Sequence, residues 1–145
     1  MSMPKRELES LAAGGTLKRE PPTAVEIEGL IRSGETRLRD AEIAGLSLAS
    51  RFDLAYNAAH ALSLAALRWH GYRADKRYVV FQALAHTLSL PATQWRILDD
   101  AHRRRNVIEY EGFIDVDEAL VEGVLRVTRE VARRARALTS PDEKR

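Results

Sequence analysis

Apolar residues recur at helical spacing along nearly the whole chain. Ile27, Leu30, Ile31, Gly34, Leu38, Ala41 and Leu46 fall along one stripe, with Glu and Arg on the other faces. The Thr23-x-x-Glu26 capping box opens this helix and Gly45 offers the stop. Gly34 lies on the inner stripe, where a missing side chain either admits a neighbouring helix or merely weakens its own. A second helix starts near Ser47 or Ser50 and reaches Trp69, ending at Gly71. It is apolar almost all round and rich in alanine, which predicts the central helix of a bundle. Its Arg51, Asp53, Asn57, His60 and Arg68 argue against a bilayer span.

Asp75 is the expected cap of a third helix that turns Tyr78, Phe81, Leu84, Ala85 and Leu88 inward. Pro91 suits the first turn of a fourth helix that runs to about Ile108, and Gly112 breaks the chain. Asp115-x-x-Glu118 begins the last helix, with a stripe of Leu120, Val124, Val127, Val131 and Leu138. Glu122/Arg126 and Glu130/Arg134 are its outer i,i+4 pairs. No strand pattern, internal repeat or low-complexity block competes. The expected fold is all-α, an up-down antiparallel helical bundle of four main helices plus a shorter helix. Residues 1–22, with Gly14-Gly15 and Pro21-Pro22, read as a charged N-terminal extension and linker, 23–139 as the bundle, and 140–145 as a polar tail.

With 145 residues and 45% hydrophobic content, one domain with a proper core is the default. The net charge is only +2, so the Arg-rich runs concentrate positive charge locally. Such a patch is compatible with RNA or nucleotide phosphate, and a solvated helix face accounts for any single run as well. The absence of cysteine removes disulfides, thiolate nucleophiles and cysteine-based zinc sites. His60, His70, His86 and His102 form no His-Glu-x-x-His pattern, and no Gly-rich phosphate loop occurs, so neither a metal nor a cofactor is expected. No segment reads as a signal peptide or membrane span, and the expected location is the cytoplasm.

Polar chemistry collects from His102 to Gly112. Trp95, Leu98, His102, Arg105 and Glu109 continue one helical stripe, while Arg103 and Arg104 point elsewhere. A guanidinium near an apolar stripe cannot lose its charge, so Arg105 requires either an ion pair with Glu109, Glu111 or Asp53, or a wet cleft. His102 is either hydrogen-bonded to a neighbouring helix or available for proton transfer. Asp53, Asn57 and His60 share a face at i, i+4 and i+7, which lines a cleft or faces solvent. These three, with Arg104 and Glu109, are the candidate ligand contacts.

The segments Arg51-Phe52-Asp53-Leu54-Ala55-Tyr56-Asn57-Ala58-Ala59-His60-Ala61-Leu62 and His102-Arg103-Arg104-Arg105-Asn106-Val107-Ile108-Glu109-Tyr110-Glu111 resemble the HEPN superfamily of prokaryotic helical domains, over about Ile27 to Leu138. The resemblance implies a symmetric homodimer, often paired with a nucleotidyltransferase-type antitoxin. In many members an arginine, commonly followed by asparagine, and a histidine four to six residues later cleave RNA without metal. Arg105 and Asn106 match the first part; Tyr110 stands where the histidine belongs, and no histidine follows Arg105. Cleavage through the 2′-hydroxyl needs a base, a proton donor and positive charge on the phosphate. Tyrosine, with a pKa of about 10, is a poor base at neutral pH unless its surroundings lower it. The expected function is therefore a dimeric domain binding RNA, a nucleotide or a partner protein through an Arg105–Tyr110 cleft, with degenerate nuclease chemistry. The alternatives are a toxin-type endoribonuclease using Tyr110 or His102, and a purely structural partner subunit.

Overall fold

The computed structural model describes residues 3–112 and 116–140, apart from the side chains of Met3 and Glu109. It is all-α, 76% helical. Four helices of 18 to 22 residues dominate: α2 (Ala24–Ala41), α3 (Leu48–Trp69), α6 (Ala92–Glu111) and α7 (Glu118–Thr139). Shorter ones are α1 (Met3–Ala13), α4 (Arg77–Gln82) and α5 (Leu84–Thr87).

α3 is the central element, as its composition predicts. Ser47 caps it by accepting from the Ser50 N–H at 3.1 Å, and Gly71, at φ +93°, turns the chain away beyond its end. Phe52, Ala55, Ala59, Leu62 and Ala66 of α3 are fully buried against Ile31 of α2 and Val121, Val124 and Val131 of α7. Small side chains let the α2 and α3 backbones approach closely. At Gly34 a Cβ would stand 2.5 Å from Leu62 Cγ and 3.2 Å from the Ala58 carbonyl oxygen, so the glycine is there for the close approach. Gly34→Ala is expected to destabilise the fold by about 1–3 kcal/mol through overpacking, against roughly 1 kcal/mol gained in helix propensity. A urea midpoint higher than that of the parent chain would contradict this.

The N-terminal segment does more than lead in. Leu8, Ala12 and Leu17 are buried with Leu67, Tyr72, Val79, Val80 and Ala83 in a second apolar cluster. β1 (Lys18–Arg19) pairs antiparallel with β2 (Tyr72–Arg73), in the register Lys18↔Arg73 and Arg19↔Tyr72. The sequence carries no strand signal here because two residues are too few to show a period of two. Tyr72 donates to Glu9 at 2.6 Å and Arg19 Nε to the same carboxylate at 3.1 Å, which ties α1 to the ribbon.

Two expected caps are not made as expected. Thr23 sits at the N-cap of α2 without a side-chain hydrogen bond, and Glu26 is drawn instead to Arg68 (3.0 Å) and Arg73 (2.7 Å). Asp75 pairs with Lys18 at 3.2 Å, Lys76 takes the N-cap, and the expected third helix divides into α4 and α5. Phe81 and Leu84 face the core, but Tyr78 is 39% exposed and Ala85 half-buried. Asp117 caps α7 by accepting from the Leu120 N–H at 2.8 Å; Asp115, the expected start of this helix, lies outside the described residues. Glu130 pairs with Arg134 (2.6 Å) as expected, whereas Glu122 reaches Arg51 (3.6 Å) in place of Arg126. α6 continues three residues past Ile108 to Glu111, and Gly112 closes it at φ +71°.

Candidate functional site

α3, α4 and α6 meet at Tyr56. On α6, Leu98 and Ala101 are buried in the core, and that anchorage brings His102, next on the same side, against α3. Tyr56 Oη lies 3.0 Å from His102 Nδ1, and the two rings stack with centroids 6.2 Å apart. Phe81 of α4 meets Tyr56 edge-on at 5.9 Å. Asn106, one turn beyond His102, places its amide nitrogen 3.3 Å from His102 Nε2. With that nitrogen donating to Nε2, a neutral imidazole carries its proton on Nδ1 and donates to the tyrosine oxygen. Tyr56 Oη also accepts from Arg77 Nη1 at 3.5 Å.

Two guanidinium groups flank this pair. The carbons of Arg77 and Arg105 lie 5.7 Å and 5.8 Å from the Tyr56 ring centroid, within cation–π range. Arg105 Nε is 3.1 Å from Asp53 Oδ1, one of the three partners the sequence offered it. Arg77 is exposed and has no carboxylate within 4.0 Å among the described residues. Arg103 pairs with Asp99 (2.9 Å) and Asp100 (3.3 Å), and Arg104 with Asp100 (3.0 Å). The arginine run is thus largely compensated within its own helix, and Arg104 is spent on Asp100. The positive excess on this face comes from Arg77.

Burial pushes His102 below its ordinary range, Arg77 and Arg103 push the same way, and Asp99 opposes them. It is therefore neutral at pH 7, the state a proton acceptor requires. His60 is driven down to about 4, mainly by burial and then by Arg77 and His102. Its ring meets Phe81 edge-on at 6.0 Å. The side chains of the Asp53, Asn57, His60 row go to different partners: Asn57 donates to the Asp53 carbonyl at 2.9 Å, Asp53 turns to Arg105, and His60 turns to Phe81. Tyr110 stands 91% exposed near the end of α6, about 140° round the helix from Arg105, so the two form no cleft within one chain. The side chain of Glu109 lies outside the described ones.

Because folding depresses the His60 pKa, the unfolded chain binds the proton more readily than the folded one between about 6.5 and 4. The stabilisation is complete above pH 6.5 and is lost as pH falls through that window, on the order of 1–3 kcal/mol after allowance for partial exposure. Denaturation midpoints from pH 7 to 4 measure the loss. The His60→Gln variant is expected to show a flatter profile, and equal slopes in the two proteins would exclude His60 as the source.

Tyr56 and Arg77 were not singled out by sequence reasoning. Tyr56 has a weak local signal, since it lies three residues after Asp53 and four before His60 on α3. Arg77 has none, because its place depends on how α4 packs. Among the described residues no three His, Asp or Glu side chains are placed to hold a metal, and no helix is long and apolar enough to cross a membrane. No protein-family model, characterised protein or solved structure matches the chain.

Proposed function

We propose that this chain is a HEPN-like domain that dimerises and binds the phosphates of RNA or a nucleotide at the Tyr56–Arg77–His102–Arg105 face, with weak or no nuclease chemistry. The observation that carries this reading is the pair of guanidinium groups beside one tyrosine–histidine hydrogen bond, with Arg77 uncompensated among the described residues. Guanidinium groups suit phosphate because their fork of N–H donors matches its oxygens and their charge does not titrate. The Asp53 carboxylate is 52% exposed, so an incoming phosphate can displace it from Arg105 without burying an unpaired acid. A homodimer is supported by Val107 (44% exposed) and Tyr110 (91% exposed), three residues apart on α6 beside Asn106, which give the site an apolar border. A nucleotidyltransferase-type protein is the partner class that accompanies this reading.

The second reading, a metal-independent endoribonuclease, is favoured by His102. Tyr56 orients its Nδ1, and Asn106, which is exposed, can swing aside to free Nε2 for the proton of a 2′-hydroxyl. Arg105 and Arg77 would then stabilise charge on the phosphate. The Arg105–Asp53 ion pair is what favours a purely structural subunit.

The deciding experiment incubates end-labelled cellular RNA with the protein and a metal chelator, with Arg105→Ala and His102→Ala alongside. Salt-sensitive binding with little cleavage is expected. Cleavage lost in both variants would establish the ribonuclease instead, and absence of both binding and cleavage would leave the structural subunit.

A further inference from the structure

A cavity of about 280 Å³ opens beside the candidate site, lined by Gly14, Gly15, Thr16, Asp75, Lys76 and Tyr78, with Val79 beneath. One wall is the turn after α1 and the other is the start of α4, so the N-terminal segment contributes half of it. The glycine wall is bare: a Cβ at Gly15 would meet no atom within 4 Å, and one at Gly14 would meet only carbonyls of its own preceding turn. Tyr78 joins the cavity to the site, since the residue is 39% exposed and its ring centroid is 6.5 Å from that of His102. Arg77 precedes it directly. The volume is near the lower end of small-ligand pockets, about 300 Å³, and suits one nucleoside better than a large cofactor.

The chemistry of the lining is that of a base with a phosphate attached. An exposed tyrosine ring offers a stacking surface to any planar base. The Thr16 hydroxyl and Lys76 ammonium have no partner among the described residues, and Asp75 holds only the exposed pair with Lys18 at 3.2 Å. Such an exposed pair is weak and exchanges readily for another donor. We propose that this cavity is a nucleotide subsite, in which an unpaired base stacks on Tyr78, Thr16 and Asp75 meet its polar edge, and Lys76 holds the adjoining phosphate. The proposal rests on the phosphate-binding reading of the neighbouring face, and it gives the N-terminal segment a part in recognition as well as in the fold.

Titration calorimetry with inorganic phosphate, a nucleoside 5′-monophosphate and a short single-stranded oligonucleotide separates the two ideas. The probes are offered to the parent chain, Tyr78→Ala, Tyr78→Phe and Arg77→Ala. The monophosphate is expected to bind the parent and Tyr78→Phe alike, and Tyr78→Ala roughly tenfold or more weakly. Inorganic phosphate is expected to ignore Tyr78→Ala and to weaken with Arg77→Ala. An oligonucleotide that binds more tightly than the monophosphate, with the same dependence on Tyr78, assigns the base to an RNA strand; equal affinities assign it to a free nucleotide. Unchanged monophosphate affinity in Tyr78→Ala overturns the subsite and leaves the phosphate reading standing. Failure of all three probes to bind the parent chain overturns both.

Discussion

Replacing Arg68 by methionine is expected to destabilise the fold by about 3–5 kcal/mol, the usual cost of removing one partner from a buried charged network. Arg68 has no exposed surface. Its Nε donates to Glu26 at 3.0 Å, Nη1 to the Glu20 carbonyl at 3.0 Å and the Tyr72 carbonyl at 3.3 Å, and Nη2 to the Pro21 carbonyl at 2.8 Å. Glu20 adds an ion pair at 3.4 Å. The guanidinium thus fastens the segment after β1 to the last turn of α3, where no other side chain of comparable reach supplies those carbonyls. Methionine fills much of the volume but leaves three carbonyl oxygens without this donor. Lysine is expected to rescue little, because its ammonium does not present the same fork. Guanidinium chloride denaturation measures the change, and a loss below about 1 kcal/mol would show that the network is dispensable. Cleavage by a protease near residues 20–22 should accelerate in the same variant, since local opening there becomes easier.

The network also predicts sensitivity to acid. Arg73, and then Arg68, hold the Glu26 carboxyl below its ordinary range. A depressed carboxyl contributes stability that is fully present above its unfolded pKa and is lost as pH falls through the folded one.

Replacing Arg77 by alanine is expected to weaken RNA binding roughly 10- to 100-fold at low salt, the equivalent of the 1.5–3 kcal/mol typical of hydrogen bonds to charged groups. The fold should be unaffected within about 0.5 kcal/mol, because Arg77 is exposed and its contacts are a long hydrogen bond of 3.5 Å and the Tyr56 ring face. That contrast makes Arg77 more informative than Arg105, whose removal also strips Asp53 of its partner. Competition binding with a labelled oligonucleotide gives the affinity, and urea midpoints give the stability. An affinity unchanged from the parent chain would remove Arg77 from the site.

Local patterns carried the long elements. The Ser47 cap, the alanine-rich surface of α3 and Gly71 together marked a central helix correctly, and the glycine on the inner stripe of α2 proved to be a place of close approach. The failures lie where distant segments meet. Glu26 looked like half of a capping box, but a buried arginine 42 residues away claims it. Arg68 itself figured only among the polar residues that argue against a bilayer span. Nothing local distinguishes an arginine that reaches water from one that reaches two carbonyls of a segment nearly fifty residues away. The same holds at the site. The stripe through Leu98, His102 and Arg105 was legible, and so was the choice of Arg105 between a wet cleft and a carboxylate, with Asp53 among the partners named. The tyrosine that accepts His102 and the arginine that supplies the excess charge come from α3 and α4, and only packing brings them together. Tyr110 was placed with Arg105 because it occupies the position of the histidine in the motif that the chain resembles, but five residues along a helix turn a side chain well away within one chain.

The most direct test of phosphate binding at the Tyr56–Arg77–His102–Arg105 face is the affinity for a single-stranded RNA oligonucleotide, measured over a series of salt concentrations. The parent chain is compared with an Arg77→Ala, Arg105→Ala double variant of verified fold. Affinity of the parent should fall steeply with salt, and the double variant should bind more weakly with a log–log slope shallower by about 1.4, roughly 0.7 for each phosphate contact removed. Equal affinities and equal slopes in the two proteins would contradict phosphate binding at this face.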